Sequence, residues 1–323
     1  MPLDLRPAES ADTSLASGYH PGATPSLLLA FDDAPASKAA ARLAFDLAEK
    51  RMASVRALQV IDTRPVPIPP PLDVALAVAD AAYGAAIQDE RRMVTEVELA
   101  KAIGHAVDWP VAVRLGMPSE TILHEAQQEG VTLIALGLHH HGVIERATRN
   151  DTVHDILRAT TVPVLAATVD LHELPRRIVV GMDFSEASVY AARVARDLLA
   201  DEGRLVLVYV TPSFAYGIEE GEQLIRKLGV SAAFEQVREA IGARGGMTVE
   251  NVVLDGTLTR NIAATLRQFV EETGADLVAL GARRHGRLER WVVGSVTSDF
   301  AREGKHSLLA VPALDGGRHA SAR

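Results

Sequence analysis

Short apolar runs alternate with longer amphipathic stretches along this chain, and the whole alternation occurs twice. Runs of four to eight β-branched and aliphatic residues mark strands, while apolar positions three and four apart over ten or more residues mark helices. Leu27 to Phe31 is accordingly predicted as a strand, Ser37 to Arg51 as a helix and Val55 to Ile61 as a second strand. RPVPIPPP at 64–71 breaks any regular element,. Helical spacing then runs from Val74 to Ile103, followed by a strand at Val111 to Leu115, a helix at Glu120 to Gln128, a strand at Val131 to Gly137, a helix at Thr152 to Ala159 and a strand at Val164 to Ala167.

The second half predicts the same order: strands at Arg177 to Gly181, Arg204 to Val210, Thr248 to Leu254, Ala275 to Gly281 and Ser307 to Val311, with helices between them, the last three opening after Val210, at Arg260 and at Thr297. ALGLHHHGVIER at 135–146 aligns without a gap on ALGARRHGRLER at 279–290, with seven of twelve positions identical, and the same offset sets Val164 and Leu165 against Leu308 and Leu309. Such self-similarity marks a duplication. Alternating strands and helices imply an α/β class built on parallel sheets: two tandem doubly wound domains at 25–173 and 174–313, with the Pro, Ser, Ala and Gly mixtures at 1–24 and 314–323 read as disordered ends,.

Composition narrows the chemistry. Aromatic residues make up 4% of the chain and the formal charge is −9, which disfavours nucleic acid as a partner because backbone binding needs clustered Lys and Arg. The chain has no cysteine, so thiolate metal sites, disulfides and cysteine nucleophiles are excluded. The N-terminus shows no basic segment followed by an apolar one and no run approaches the length of a membrane span, so the expectation is a cytoplasmic protein with no membrane partner.

In an open parallel sheet ligands bind beyond the carboxyl ends of the strands where strand order reverses, which directs attention to the residues after strands one and four of each copy. After strand one of the second copy stands Met182-Asp183-Phe184-Ser185-Glu186-Ala187-Ser188. An acid and a hydroxyl there either cap a helix or meet a ligand. After strand four comes Gly281, then Arg284, His285 and Gly286, and with nine residues between it and Arg284 the triplet Gly294-Ser295-Val296 opens a helix. Glycines admit a phosphate close to the backbone and a helix N-terminus offers it free N–H groups, but the same glycines also serve as a turn and a helix boundary.

Taken together, DFSEAS after strand one and G-x2-R-x9-G-S-V after strand four resemble the universal stress protein family in its ATP-binding form, whose pattern is G-x2-G-x9-G-[ST]. The resemblance covers 26–168 and 177–313. It implies five parallel strands per domain in the order 3-2-1-4-5, domains packed side by side through their fifth strands, a homodimer of chains, and ATP, with Mg²⁺ as its companion ion, held in the second domain. Carried over by position, Asp183 and the backbone of Met182 meet the adenosine, Val210 the adenine, Gly281 the phosphate loop, and Gly294, Ser295 and Val296 the phosphates. Arg284 departs from the pattern by standing where the second glycine belongs, and a guanidinium there is able to pair with phosphate. The implied role is a stress-response regulatory module; a nucleotide-free scaffold and a slow ATPase or autokinase modified on Ser295 are the competing readings.

The first copy keeps Asp32, Val60 and Gly137, but His140 replaces the second glycine and Asn150-Asp151 replace the final Gly-Ser. Asp151 sets an anion where phosphate would lie, and two like charges ~4 Å apart repel by about 4 kcal/mol at an effective dielectric near 20. The first copy is therefore expected not to bind ATP with its phosphates in that place. The triplet His139-His140-His141 reads first as a solvated loop, since three consecutive side chains rarely converge on one ion; no metal site is expected. Ser295, His285 and Asp183 could be assembled into a triad, but no nucleophile elbow surrounds Ser295, and no catalytic set is assigned.

Overall fold

The computed structural model describes residues 25–63, 81–138, 152–211, 220–256, 261–282 and 294–312. The first half runs β1 (Ser26–Ala30), α1 (Pro35–Arg51), β2 (Ser54–Asp62), α2 (Ala81–Ile103), β3 (Val111–Gly116), α3 (Pro118–Gln128), β4 (Leu133–Gly137), α4 (Thr152–Ala159) and β5 (Val164–Ala167). The second runs β6 (Arg177–Met182), α5 (Glu186–Leu198), β7 (Arg204–Thr211), α6 (Glu220–Ile241), β8 (Thr248–Asp255), α7 (Ile262–Thr273), β9 (Leu277–Gly281), α8 (Ser295–Glu303) and β10 (Leu308–Val311). The ends at 1–24 and 314–323, the Pro-rich run and the start of the long helix predicted from Val74 lie outside the described residues.

Each half has the strand order third, second, first, fourth, fifth, with parallel neighbours throughout. The two expected five-stranded sheets are one ten-stranded sheet, because β5 and β10 pair antiparallel and close the only edge that each half would otherwise expose there,. Leu165 pairs with Leu309, its own counterpart in the repeat, so a pseudo-twofold axis passes between them. Strands LIALG, VLAA, LVALG and LLAV sit at the middle of this sheet and are buried almost throughout, as expected for strands with helices on both faces. Helices α1, α2, α5 and α6 cover one face and α3, α4, α7 and α8 the other; each face has one apolar core running through both halves.

Several boundaries differ from the sequence reading, each for a local reason. The expected strands at Val131 and Ala275 begin two residues later, since the N–H groups of Val131 and Ala275 bond back to Ala126 and Val270 and finish the preceding helices. Helix α1 opens at Pro35, a residue whose fixed φ suits a first helical position,. Helix α7 opens after Asn261, whose side chain accepts from Ala264 N–H at 2.8 Å, and α8 opens at Ser295 rather than Thr297.

The duplication extends to single hydrogen bonds. Arg42 Nε donates to the main-chain oxygen of Ala102 at 2.7 Å and Arg193 Nε to that of Ala240 at 3.0 Å, so the same arginine ties α1 to the end of α2 and α5 to the end of α6. At the seam, Thr168 N–H donates to Ser307 Oγ at 3.0 Å and the two hydroxyls lie 2.9 Å apart in a buried site. The end of α5 gathers charge from both halves: Arg51 from the first and Arg244 from the second both donate to its last carbonyls, groups that a helix leaves without internal partners. Arg196 forks the Asp197 carboxylate at 2.7 and 2.6 Å. Burial nevertheless pushes the Asp197 carboxyl up to about 6, with the charge of Arg244 pulling the other way.

Candidate functional site

Strands β6 and β9 are neighbours, and the chain order reverses between them, so the crevice beyond their carboxyl ends is the switch point of the second half,. Met182 ends β6 and is buried, whereas Asp183 after it is exposed. Asp183 Oδ1 accepts from Ser185 N–H at 2.9 Å and from the Ser185 hydroxyl. Ser185 in turn caps α5, its Oγ accepting from Ser188 N–H at 3.4 Å. The carboxylate is thus held in a fixed orientation at the strand end by the cap of the following helix.

Between them Phe184 takes φ of 60°, a left-handed conformation that is costly for a bulky residue,. Its ring lies 5.2 Å from Tyr209 on β7 and 5.1 Å, edge to face, from Phe234 on α6, so aromatic packing anchors the turn beside Asp183. Sequence reading passed over this cluster. The available signal was Phe184 standing where the first copy has Asp33.

The two glycines singled out from the sequence differ sharply. A Cβ on Gly281 would lie 2.5 Å from Ala187 C and 2.6 Å from Ser188 N, so this position lets the first turn of α5 rest directly on the end of β9. Gly137 does the same in the first half, where a Cβ would lie 2.5 Å from Ser37 N. Gly294 has φ of −54°, and among the described residues nothing lies within 4 Å of where a Cβ would stand. Neither its backbone angle nor contact with the described residues demands a glycine there.

Gly294 caps α8 with no side-chain acceptor, and the first turn carries no acidic residue. Ser295 is exposed and Val296 half-buried at this end, while the helix is anchored at its far end by Phe300, 1% exposed in the core. A helix N-terminus of this kind presents backbone N–H groups and a partial positive charge to an anion. Val210, the adenine position expected from the sequence, is 6% exposed near the end of β7, and Thr211 beside it bonds through its hydroxyl to Leu254 O and Asp255 Oδ1. Met182, Asp183, Gly281 and the Gly294-Ser295-Val296 turn all lie at the carboxyl end of the sheet; Arg284 and His285 lie outside the described residues, as do His139, His140, His141, Asn150 and Asp151.

In the first half Asp32 repeats the turn, its Oδ1 accepting from Ala34 N–H at 3.0 Å, but Ala34 caps α1 without a side-chain bond. Helix α4 carries Asp155 in its first turn, which disfavours an anion where α8 favours one. No group of three or more His, Cys, Asp or Glu residues able to hold a metal occurs among the described residues, and none of the described helices is long and apolar enough to cross a membrane.

This doubly wound sheet with a helix N-terminus at its switch point defines an α/β class, and comparison places it more closely. The universal stress protein family matches twice, over residues 25–167 and 175–312; the chain belongs to that family, as a tandem member. Among solved structures, a universal stress protein from Archaeoglobus fulgidus DSM 4304 is 16% identical with a TM-score of 0.62, over 89% of this chain and 98% of that one. A functionally unknown protein from Pseudomonas aeruginosa PAO1 is 15% identical with a TM-score of 0.56, over 90% and 93%. Both likenesses concern the fold. No curated protein matches the chain.

Proposed function

We propose that the chain is a cytoplasmic stress-response module that binds an adenine nucleotide in its second half, with ATP and Mg²⁺ as the ligand pair and with two chains forming a homodimer. The observation that carries this is the turn at Gly294: a helix start with no side-chain cap and no acidic residue in its first turn, on the same end of the sheet as the fixed carboxylate of Asp183. Asp183 and the Met182 backbone hold the adenosine end, Val210 lines the base, Gly281 and Arg284 border the phosphate loop, and Gly294, Ser295 and Val296 receive the phosphates. The nucleotide acts through its different affinity for two arrangements of the chain, without which occupancy would change nothing. Calorimetric titration with ATP, ADP and AMP tests the proposal: binding at one site per chain supports it, and no heat with any of the three ends it.

One observation favours a second reading. Gly281 is already accounted for by the packing of α5 on β9, so part of the motif serves the fold whether or not a nucleotide binds. In that case the chain is a nucleotide-free scaffold. Mass spectrometry of ligand released from gently purified protein separates the two, since a scaffold releases no adenine nucleotide.

A further inference from the structure

Helix α2 carries an apolar face that the fold does not require. Met93, Val94 and Val97 are 58%, 42% and 52% exposed, and their spacing places them together on one side of the helix. The opposite side is fixed inward by Leu99 and Ala102 in the core and by the Thr95 hydroxyl, which donates to Gln59 on β2. Helix α6 is the counterpart of α2, and the paired bonds from Arg42 to Ala102 and from Arg193 to Ala240 set the register; Leu99 and Val237 are both buried in that register. Met93, Val94 and Val97 then correspond to Ser231, Ala232 and Glu235, which are also exposed. One fold position is apolar in the first copy and mostly polar in the second, so the apolar cluster serves something other than folding.

Charges flank the cluster with opposite sign. Glu90 lies about one turn before Met93, exposed and without an ion-pair partner among the described residues, and Lys101 lies one turn after Val97, with its ammonium 2.8 Å from Glu98 and the side chain 66% exposed. We propose that this face of α2 is where two copies of the chain meet, the two helices antiparallel about a twofold axis passing between Val94 and Val97. Val94 then packs on the partner's Val97, and Glu90 meets the partner's Lys101, each contact occurring twice by symmetry. A parallel arrangement would bring Glu90 onto the partner's Glu90 and Lys101 onto the partner's Lys101, so charge selects the antiparallel one. The fifth-strand edges are consumed within the chain, and this surface lies elsewhere on the molecule. Three apolar side chains per copy make an interface smaller than the standard size of about 1,600 Å², so the dimer is expected to be concentration-dependent. The surface does not depend on the nucleotide reading.

Sedimentation of the full chain from about 1 to 200 µM, a range that brackets micromolar affinity, tests this. The expected result is a monomer–dimer equilibrium that Val97→Glu weakens at least tenfold while circular dichroism and the thermal midpoint stay unchanged. Lys101→Glu alone weakens dimerisation, and Glu90→Lys combined with Lys101→Glu restores it, because the two opposite-sign contacts re-form reversed. A chain that stays monomeric throughout the range, a dimer indifferent to Val97→Glu, or a double variant no better than Lys101→Glu alone overturns the proposal.

Discussion

Arg51, at the end of α1 in the first half, donates through Nη2 to the main-chain oxygen of Leu199 in the second at 2.7 Å and reaches Asp201 at 2.9 Å. Its side chain is 16% exposed. The last carbonyls of α5 are therefore satisfied partly from the opposite half of the molecule. Arg51→Met keeps the aliphatic packing and removes these bonds; urea unfolding is expected to show a loss of about 1–3 kcal/mol, the range for a hydrogen-bonded charge whose partners are left in a partly buried place.

Asp197 gives stability a pH dependence of unusual sign. Its carboxyl is pushed up to about 6, above its ordinary value near 4, so between those limits the folded chain holds a proton that the unfolded chain lacks. The penalty from this group is full above about pH 6 and is relieved as pH falls towards 4. Asp197→Asn should raise stability at pH 7 by about 1 kcal/mol after allowance for solvent screening, change little at pH 4, and flatten the profile between. If the fork from Arg196 outweighs burial, the variant will instead be less stable at pH 7.

The glycines at 281 and 294 should separate on substitution. Gly281→Ala drives a methyl into the first turn of α5 and is expected to cost about 1–3 kcal/mol or more, as overpacking does. Gly294→Ala meets nothing among the described residues and should cost about 1 kcal/mol or less, the difference between the two residues as helix caps. Thermal melts read the first contrast; nucleotide titration of Gly294→Ala then reads the second site without a folding defect.

Ser295→Asp tests the anion preference of α8. An acidic residue in the first turn favours the helix, so the melting point should hold or rise. Adenine nucleotide affinity should fall at least tenfold, which is 1.4 kcal/mol and well within the like-charge repulsion expected at that distance. Unchanged affinity would place the phosphates elsewhere.

The strands and the duplication were legible because burial on both faces leaves unbroken apolar runs such as LIALG and LVALG, and because two copies carry them in the same order. The apolar pattern sets strand starts at Val131 and Ala275, two residues before β4 and β9 begin, since an apolar residue finishing a helix looks the same as one beginning a strand. Asp183 and the Gly294 turn could be picked out as positions, their place at a strand end being a matter of spacing. What spacing does not carry is what fills the room around a residue: that Gly281 faces the backbone of α5, that Phe184 is held at positive φ by Tyr209 and Phe234, and that Arg51 caps a helix in the other half all depend on contacts between segments far apart in the chain.

The bond between β5 and β10 also bears on how the two copies can change. Separate identical subunits pairing through such an edge would carry every substitution in both members at once. Here one chain carries both halves and each always meets the other, so a substitution at Asp155 or Gly294 falls on one side alone. The seam makes a permanently unequal pair, in which one copy is free to lose a ligand site while still supplying half of the sheet that supports the other.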